Sequence, residues 1–235
     1  MRVAHIVQGA GDSAIASWIA SRMAMALDQT QGAQTQGAQT QGAQTQGPQT
    51  QGAQTQGRVA MAFPGGSTPG PIFAELTKQR LDFSRLEIWP TDDRCVSQDH
   101  PASNIGALRQ LFAPLGAKVE PLEENAQVPS FALAWFGMGA DGHIASLFPS
   151  TDPRIDDPAR VRRITPDPLP PEAPFDRITL TLPALIDSRT LVLVIRGAEK
   201  RAILEEAARG DNDLPIARLL RGVAADGTRH VTCFT

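Results

Sequence analysis

Cysteine is nearly absent. Cys95 and Cys233 are the two in 235 residues; they form no metal-binding spacing, and both read as small apolar side chains buried in a core rather than as a disulfide. Basic residues are in the minority as well. Lysine and arginine total 22 against 25 acids, for a net charge of −3 and a pI near 5.8. That balance excludes a basic footprint for nucleic acid and a polybasic patch for a membrane surface. No apolar run approaches the roughly 20 residues of a membrane span. The opening Met1-Arg-Val-Ala-His-Ile-Val-Gln-Gly9 lacks the long apolar centre of a secretory leader, so a soluble, cytoplasmic protein is expected. What is present is 41% hydrophobic residues, enough for a real core, in a length that holds one or two domains.

Short apolar runs alternate with helical spacing. Val3 to Val7 reads as a strand, followed by a helix capped by Asp12 or Ser13 with Ile15, Trp18, Ile19 and Met23 at helical intervals. Gly9-Ala-Gly11-Asp-Ser-Ala14 matches a dinucleotide fingerprint, but no second strand leads to Asp28, where the ribose-binding acid would stand. An ordinary strand, turn and capped helix is the reading there, and no cofactor is expected. From Gln29 to Gly57 the five-residue unit Gln-Thr-Gln-Gly-Ala repeats, with Pro48 replacing one alanine. It has no apolar face, no charge and a glycine in every unit, so it cannot offset the entropy of folding. Residues 29–57 are therefore expected to be a disordered low-complexity insertion within one domain spanning 1–235, tolerated because long loops add little closure entropy.

Arg58 to Phe63, Leu86 to Trp89, Phe131 to Phe136 and Leu191 to Ile195 read as further buried strands, and Arg177 to Leu182 alternates like a strand. Ser103 caps an amphipathic helix with Ile105, Leu108, Leu111 and Phe112 inward. Arg154 to Pro174 reads as an irregular surface connection, Leu214 to Leu220 as a last short helix, and Val231 to Phe234 as an edge strand. The expected class is α/β: a Rossmann-like layered fold, single-domain, with a mostly parallel central sheet flanked by helices.

Loops after three of these strands carry chemistry. In Gly137-Met-Gly-Ala-Asp-Gly-His-Ile-Ala-Ser-Leu-Phe-Pro149, Gly137, Gly139 and Gly142 permit a sharp turn whose amides can approach a ligand oxygen. His143 sits in that turn beside Asp141, which either orients the imidazole or caps a helix that follows. In Pro64-Gly-Gly-Ser-Thr-Pro-Gly70, Gly65, Gly66, Ser67 and Thr68 before a helix read equally as a phosphate cradle or as a capped strand-to-helix turn. In Pro90-Thr-Asp-Asp-Arg-Cys-Val96, Arg94 could fork onto an anion with Asp92 or Asp93 holding it, although a surface ion pair is the commoner meaning of such a loop. Asn104 in the first turn of its helix and Lys200 at the start of another have equally ordinary readings as a helix-start asparagine and a solvated lysine.

Taken together and in order, Gly65-Gly-Ser-Thr-Pro69, Asp92-Asp-Arg-Cys-Val96, Asn104, the Gly137 to Pro149 motif, Arg177-Ile-Thr-Leu-Thr181, Leu191 to Ile195 and Gly197-Ala-Glu-Lys200 resemble the 6-phosphogluconolactonase family. The resemblance covers nearly everything from Arg58 to Leu220. Asp93 where the family usually has glutamate, Trp135-Phe136 in place of an aliphatic pair, and the glutamine repeat depart from it. The resemblance implies hydrolysis of 6-phospho-D-glucono-1,5-lactone in the oxidative branch of the pentose phosphate pathway, with a sugar phosphate as partner and neither metal nor cofactor. It implies His143 and Asp141 as the catalytic pair, with Gly65, Gly66, Ser67, Thr68, Asp92, Arg94, Asn104, Gly137, Gly139 and Lys200 around the substrate. The sibling glucosamine-6-phosphate deaminases share Asp-Gly-His-Ile-Ala but continue with an acid where this chain has Phe148 and carry tyrosine where it has Arg94, which favours the lactonase. Monomer and dimer remain equally open.

Overall fold

The computed structural model describes residues 3–39, 57–171, 173–227 and 229–235. Ten strands appear in chain order: β1 (Ala4–Val7), β2 (Val59–Phe63), β3 (Leu86–Pro90), β4 (Asp92–Arg94), β5 (Lys118–Val119), β6 (Phe131–Phe136), β7 (Val161–Ile164), β8 (Arg177–Leu180), β9 (Ser188–Val194) and β10 (Val231–Phe234). Seven form one sheet in the order β1-β10-β9-β6-β2-β3-β5, with every pairing parallel. The other three form a small antiparallel sheet, β4-β8-β7. The helices are α1 (Asp12–Gln39), α2 (Pro69–Leu76), α3 (Asn104–Phe112), α4 (Leu182–Ile186), α5 (Ala198–Arg209) and α6 (Pro215–Asp226). Among the described residues, no helix is long and apolar enough to cross a membrane.

The central strands Val59-Ala-Met-Ala-Phe63 and Phe131-Ala-Leu-Ala-Trp-Phe136 are buried along their whole length, as a parallel sheet covered on both faces requires. Period-two alternation then divides their side chains between two cores. Met61, Phe63, Leu133 and Trp135 meet Ile15, Ile19 and Met23 of α1, Ile72 and Phe73 of α2 and Phe112 of α3. Ala60, Ala62, Ala134 and Phe136 face the opposite side, where Leu185 of α4, Leu204 of α5 and Leu220 of α6 close the second core.

Several elements differ from the sequence expectation. Val231 to Phe234 is not at the edge: β10 lies between β1 and β9, and its four residues are buried, because the N-terminal strand adds outside it. The stretch from Arg154 to Pro174 contains β7, whose arginines 162 and 163 point outward while Val161 is fully buried, so its polarity hid a strand. The 90–96 loop contains β4. Leu111 faces outward at 37% exposure, and Cys95 is exposed, while Cys233 is buried and its thiol is pushed up to about 12 by desolvation. Both cysteines are free. Helix α6 continues well past Leu220 to Asp226. Helix α1 continues to Gln39, into the first units of the repeat. Glutamine and alanine have good helix propensity, and extending a nucleated helix costs far less than starting one. Residues 40–56 of the repeat lie outside the described residues.

Phe112 is fully buried, with its ring 5.6 Å from that of Phe63 and 5.3 Å from that of Phe73. Phe112→Ala should lower unfolding free energy by about 3–5 kcal/mol in urea denaturation with the slope unchanged. A loss below about 1 kcal/mol would mean that this cluster does not hold α3 to the sheet.

Candidate active site

The carboxyl ends of β2, β3 and β6 open into one cavity of about 330 Å³, where an open parallel sheet gathers its ligands. Residues 64–69, after β2, make one wall. Gly65 has no substitute there, since a Cβ would lie 1.8 Å from Asn104 Oδ1. Gly66 turns the chain at φ +90°. Thr68 precedes α2 without making a side-chain cap, and Pro69 starts the helix. The hydroxyl is therefore not spent on capping, and Ser67 and Thr68 both line the cavity.

After β3 the chain passes Thr91 and enters β4, where alternation sends Asp92 and Arg94 one way and Asp93 the other. Asp93 turns inward and caps α3: its carboxylate accepts from the backbone amides of Arg94 at 2.8 Å, Asn104 at 2.6 Å and Ile105 at 3.0 Å. Burial pushes this carboxyl above its usual range, against those three donors. Asp92 accepts from the Ser146 hydroxyl at 2.5 Å, and its carbonyl accepts from Asn104 Nδ2 at 2.7 Å. The expected Asp–Arg94 ion pair is not formed. The Arg94 guanidinium donates to the Ala102 carbonyl at 2.9 Å and to Asn104 Oδ1 at 3.0 Å, and its Nε is buried with no partner. Both carboxylates are already engaged by nearer donors.

The turn after β6 is closed on itself. An antiparallel bridge joins Met138 to Ile144, Gly139 N–H donates to the His143 carbonyl at 2.9 Å, and Gly142 N–H donates to the Gly139 carbonyl at 3.1 Å. No helix follows; a second bridge, Ile144 to Leu147, continues the loop, with Ala145 at φ +49°. Asp141 is thus not a helix cap. Its Oδ1 lies 2.6 Å from His143 Nδ1 and also accepts the His143 amide at 3.2 Å. Burial raises the Asp141 carboxyl, but the hydrogen bond and charge of His143 outweigh it, and the net shift is downward. An ionised carboxylate only accepts, so Nδ1 carries the proton and a neutral ring keeps its lone pair on Nε2. The imidazole lines the cavity with 31% of its side chain exposed, and the Phe148 ring packs 4.7 Å from it. Gly139 leaves room for this pair: a Cβ would come within 2.2 Å of His143 Cε1.

Of the residues singled out in the sequence, His143, Gly65, Gly66, Ser67, Thr68, Asp92, Arg94, Asn104, Gly137, Gly139 and Lys200 all line this cavity. Asp141 does not; it stands behind the imidazole with 51% of its side chain exposed. Lys200 lies in the first turn of α5, with no hydrogen bond or ion pair to any described residue. Ser146, a rival nucleophile by its closeness to His143 in sequence, is buried and bonded to Asp92 instead. Sequence reasoning missed Arg177, which also lines the cavity; its one signal was an arginine at a position of β8 that alternation buries. Among the described residues, no cluster of histidine, cysteine and acid side chains could hold a metal ion.

A family model described as glucosamine-6-phosphate isomerases/6-phosphogluconolactonase matches residues 33–123 and 115–226. The chain belongs to this family. Within it, a 6-phosphogluconolactonase of Caulobacter vibrioides is 33% identical over 189 residues, which is 70% of this chain and 79% of that protein. One from Helicobacter pylori strain J99 is 33% identical over 182 residues, 69% of this chain and 79% of its own. A putative 6-phosphogluconolactonase from Neisseria gonorrhoeae superposes with a TM-score of 0.70 at 25% identity, covering 100% of both chains. The fold is shared with a crystal structure from Shewanella baltica at a TM-score of 0.71 and 24% identity, over 98% of this chain and 97% of the other.

Two outcomes follow from this geometry. Gly139→Ala should fold but wedge the imidazole away from Asp141, seen as loss of the downfield Nδ1–H proton resonance; an unchanged resonance would show that the turn yields elsewhere. Because the Asp141 carboxyl is depressed, its share of stability is present above the ordinary value of 3.8 and is lost as pH falls through and below it. Wild type and Asp141→Asn should therefore differ in denaturation midpoint near neutrality and converge in acid, and a gap that widened in acid would contradict the assignment.

Proposed function

We infer that this chain hydrolyses 6-phospho-D-glucono-1,5-lactone to 6-phospho-D-gluconate, acting as a 6-phosphogluconolactonase on a sugar phosphate. The observation that carries the reading is the 2.6 Å contact of Asp141 with His143 Nδ1, which leaves Nε2 as a base on the same cavity as Arg94, Lys200 and the 65–68 loop. An imidazole is a side chain suited to passing a proton in both directions in one reaction.

The steps need only this chain and water. His143 Nε2 takes a proton from a water molecule as its oxygen attacks the lactone carbonyl, forming the tetrahedral oxyanion. The ring C–O bond then breaks, and the proton on Nε2 passes to the departing ring oxygen, which becomes the sugar hydroxyl. Asp141 steadies the imidazolium between the two transfers. Gly139 and Gly142 spend their amides inside the turn, so the oxyanion donor is sought among the other amides of the 137–142 segment; such a donor is worth roughly 3–4 kcal/mol in well-studied hydrolases. Arg94, Lys200, Ser67, Thr68 and the amides of Gly65 and Gly66 grip the phosphate, and that binding energy sets the carbonyl over Nε2. Asp92 and Asn104 hold this end in shape and offer polar atoms to the sugar hydroxyls. Phe148 gives the imidazole an apolar neighbour where ring-opening amine chemistry would use a carboxylate.

Freshly generated lactone should disappear much faster with enzyme than by spontaneous hydrolysis, equally with and without chelator, and glucosamine 6-phosphate should release no ammonia. His143→Ala should lower kcat by about 100- to 10,000-fold while the affinity for 6-phosphogluconate stays within several-fold. A near-normal rate would remove the general-base role.

A further inference from the structure

Arg177 stands directly opposite Arg94 in the β4–β8 register, and both line the cavity. Like charges facing each other across an antiparallel pair are destabilising. The carboxylates nearby, Asp92 and Asp93, offset this only in part. Arg177 is 4% exposed, and its guanidinium donates to the carbonyls of Phe175 at 2.6 Å and Ala173 at 2.8 Å. Neither arginine forms an ion pair among the described residues. The charged groups around Arg177 are Arg94, Asp92, Asp93 and Cys95. Asp93 is engaged by three amides of its own and Asp92 by Ser146. Burial first and Arg94 second pull the Arg177 pKa down and outweigh the opposing pull of Asp92, Cys95 and Asp93. Partners that are all carbonyls satisfy its N–H groups without cancelling its charge. A buried charge with no carboxylate paired to it directly is retained at a cost to the fold.

We propose that Arg177 is a specificity-determining residue of this site: together with Arg94 it forms a two-guanidinium receptor for a doubly charged phosphate monoester tail. The inference rests on the lactonase reading for the identity of the substrate, but the receptor is a property of the two arginines. Arg94 Nε, buried without a partner, is the donor left open on this wall. Planar guanidiniums suit a phosphate because their donors match its oxygens in pairs. Two of them favour the dianion over any singly charged or neutral tail, since each added ligand charge meets both cations in a partly desolvated wall.

The test compares 6-phosphogluconate with gluconate, which differ only in the charged tail, by calorimetry on the whole protein. Arg177→Met should weaken 6-phosphogluconate roughly 10- to 100-fold and leave gluconate unchanged, as expected for one charge-assisted contact. Equal loss of both ligands would make Arg177 a brace for the 173–175 backbone and overturn the proposal. Where the methionine variant does not fold, Arg177→Gln, which keeps an amide donor for a carbonyl and drops the charge, decides in the same way. In the wild type, the preference for 6-phosphogluconate should shrink about tenfold between about pH 7.5 and about pH 5, as the tail gains a proton near pH 6. Gluconate measured alongside removes any contribution of His143 at the sugar end, and a preference that ignored pH would also overturn the proposal. A protein that bound 6-phosphogluconate through Arg177 but did not hydrolyse lactone would sink the enzyme reading and leave the receptor standing.

Discussion

The contact between Asp141 and His143 governs what the cavity can do. A carboxylate held in its ionised form can only accept, so it fixes the proton on Nδ1 and leaves Nε2 of a neutral ring with the lone pair that the proposed reaction uses. Everything nearby keeps that geometry in place. The glycine turn is pinned by its own amide bonds, Gly139 lacks the atom that would displace the ring, and Phe148 covers one side of the imidazole. Gly142 adds a tether from outside, since its carbonyl accepts the amide of Ile216 and its absent side chain makes room for Leu214 at the start of α6. A helix more than 70 positions later in the chain therefore braces the loop that holds the base.

The second constraint is that both sheets contribute to the wall of the cavity. The glycine turn and the 65–68 loop leave the parallel sheet, whereas Asp92, Arg94 and Arg177 belong to the antiparallel one. Alternation along three residues of β4 divides the labour: Asp93 is buried as the cap of α3, and its neighbours face the cavity. One short strand thereby joins a helix terminus to a carboxylate and a guanidinium that line the cavity. The substitution of glutamate by aspartate at position 93, a departure from the family pattern, falls on the capping side of that strand and not on the side that meets ligand.

Much of this was legible because the decisive signals are local. Continuous apolar runs such as Phe131 to Phe136 declare a strand covered on both faces, and glycines packed around a histidine declare a turn that something must approach closely. What stayed hidden depends on distant partners. Val231 to Phe234 looks like any terminal strand until β1 is known to lie outside it. Arg162 and Arg163 give β7 the polarity of a loop because Val161 alone of its four residues is fully buried. Arg177 reads as the first residue of an alternating strand, with no sign of a place at the cavity until the fold sets it against Arg94. The apparent ion pair of Asp92, Asp93 and Arg94 was the reverse case, adjacency in sequence without contact in space, because backbone amides and a serine claimed the carboxylates first.

Helix α1 starts at Asp12 beside the carboxyl end of β1 and runs antiparallel to the strands, so the chain leaves it, and returns as β2, on the amino-terminal side of the sheet. The cavity opens on the opposite rim. Gln39 and Gly57, the described residues on either side of positions 40–56, therefore both lie away from the cavity lining. A change in the length of chain between those two residues would leave the strand ends and loops that line the cavity with their own sequence and their own partners.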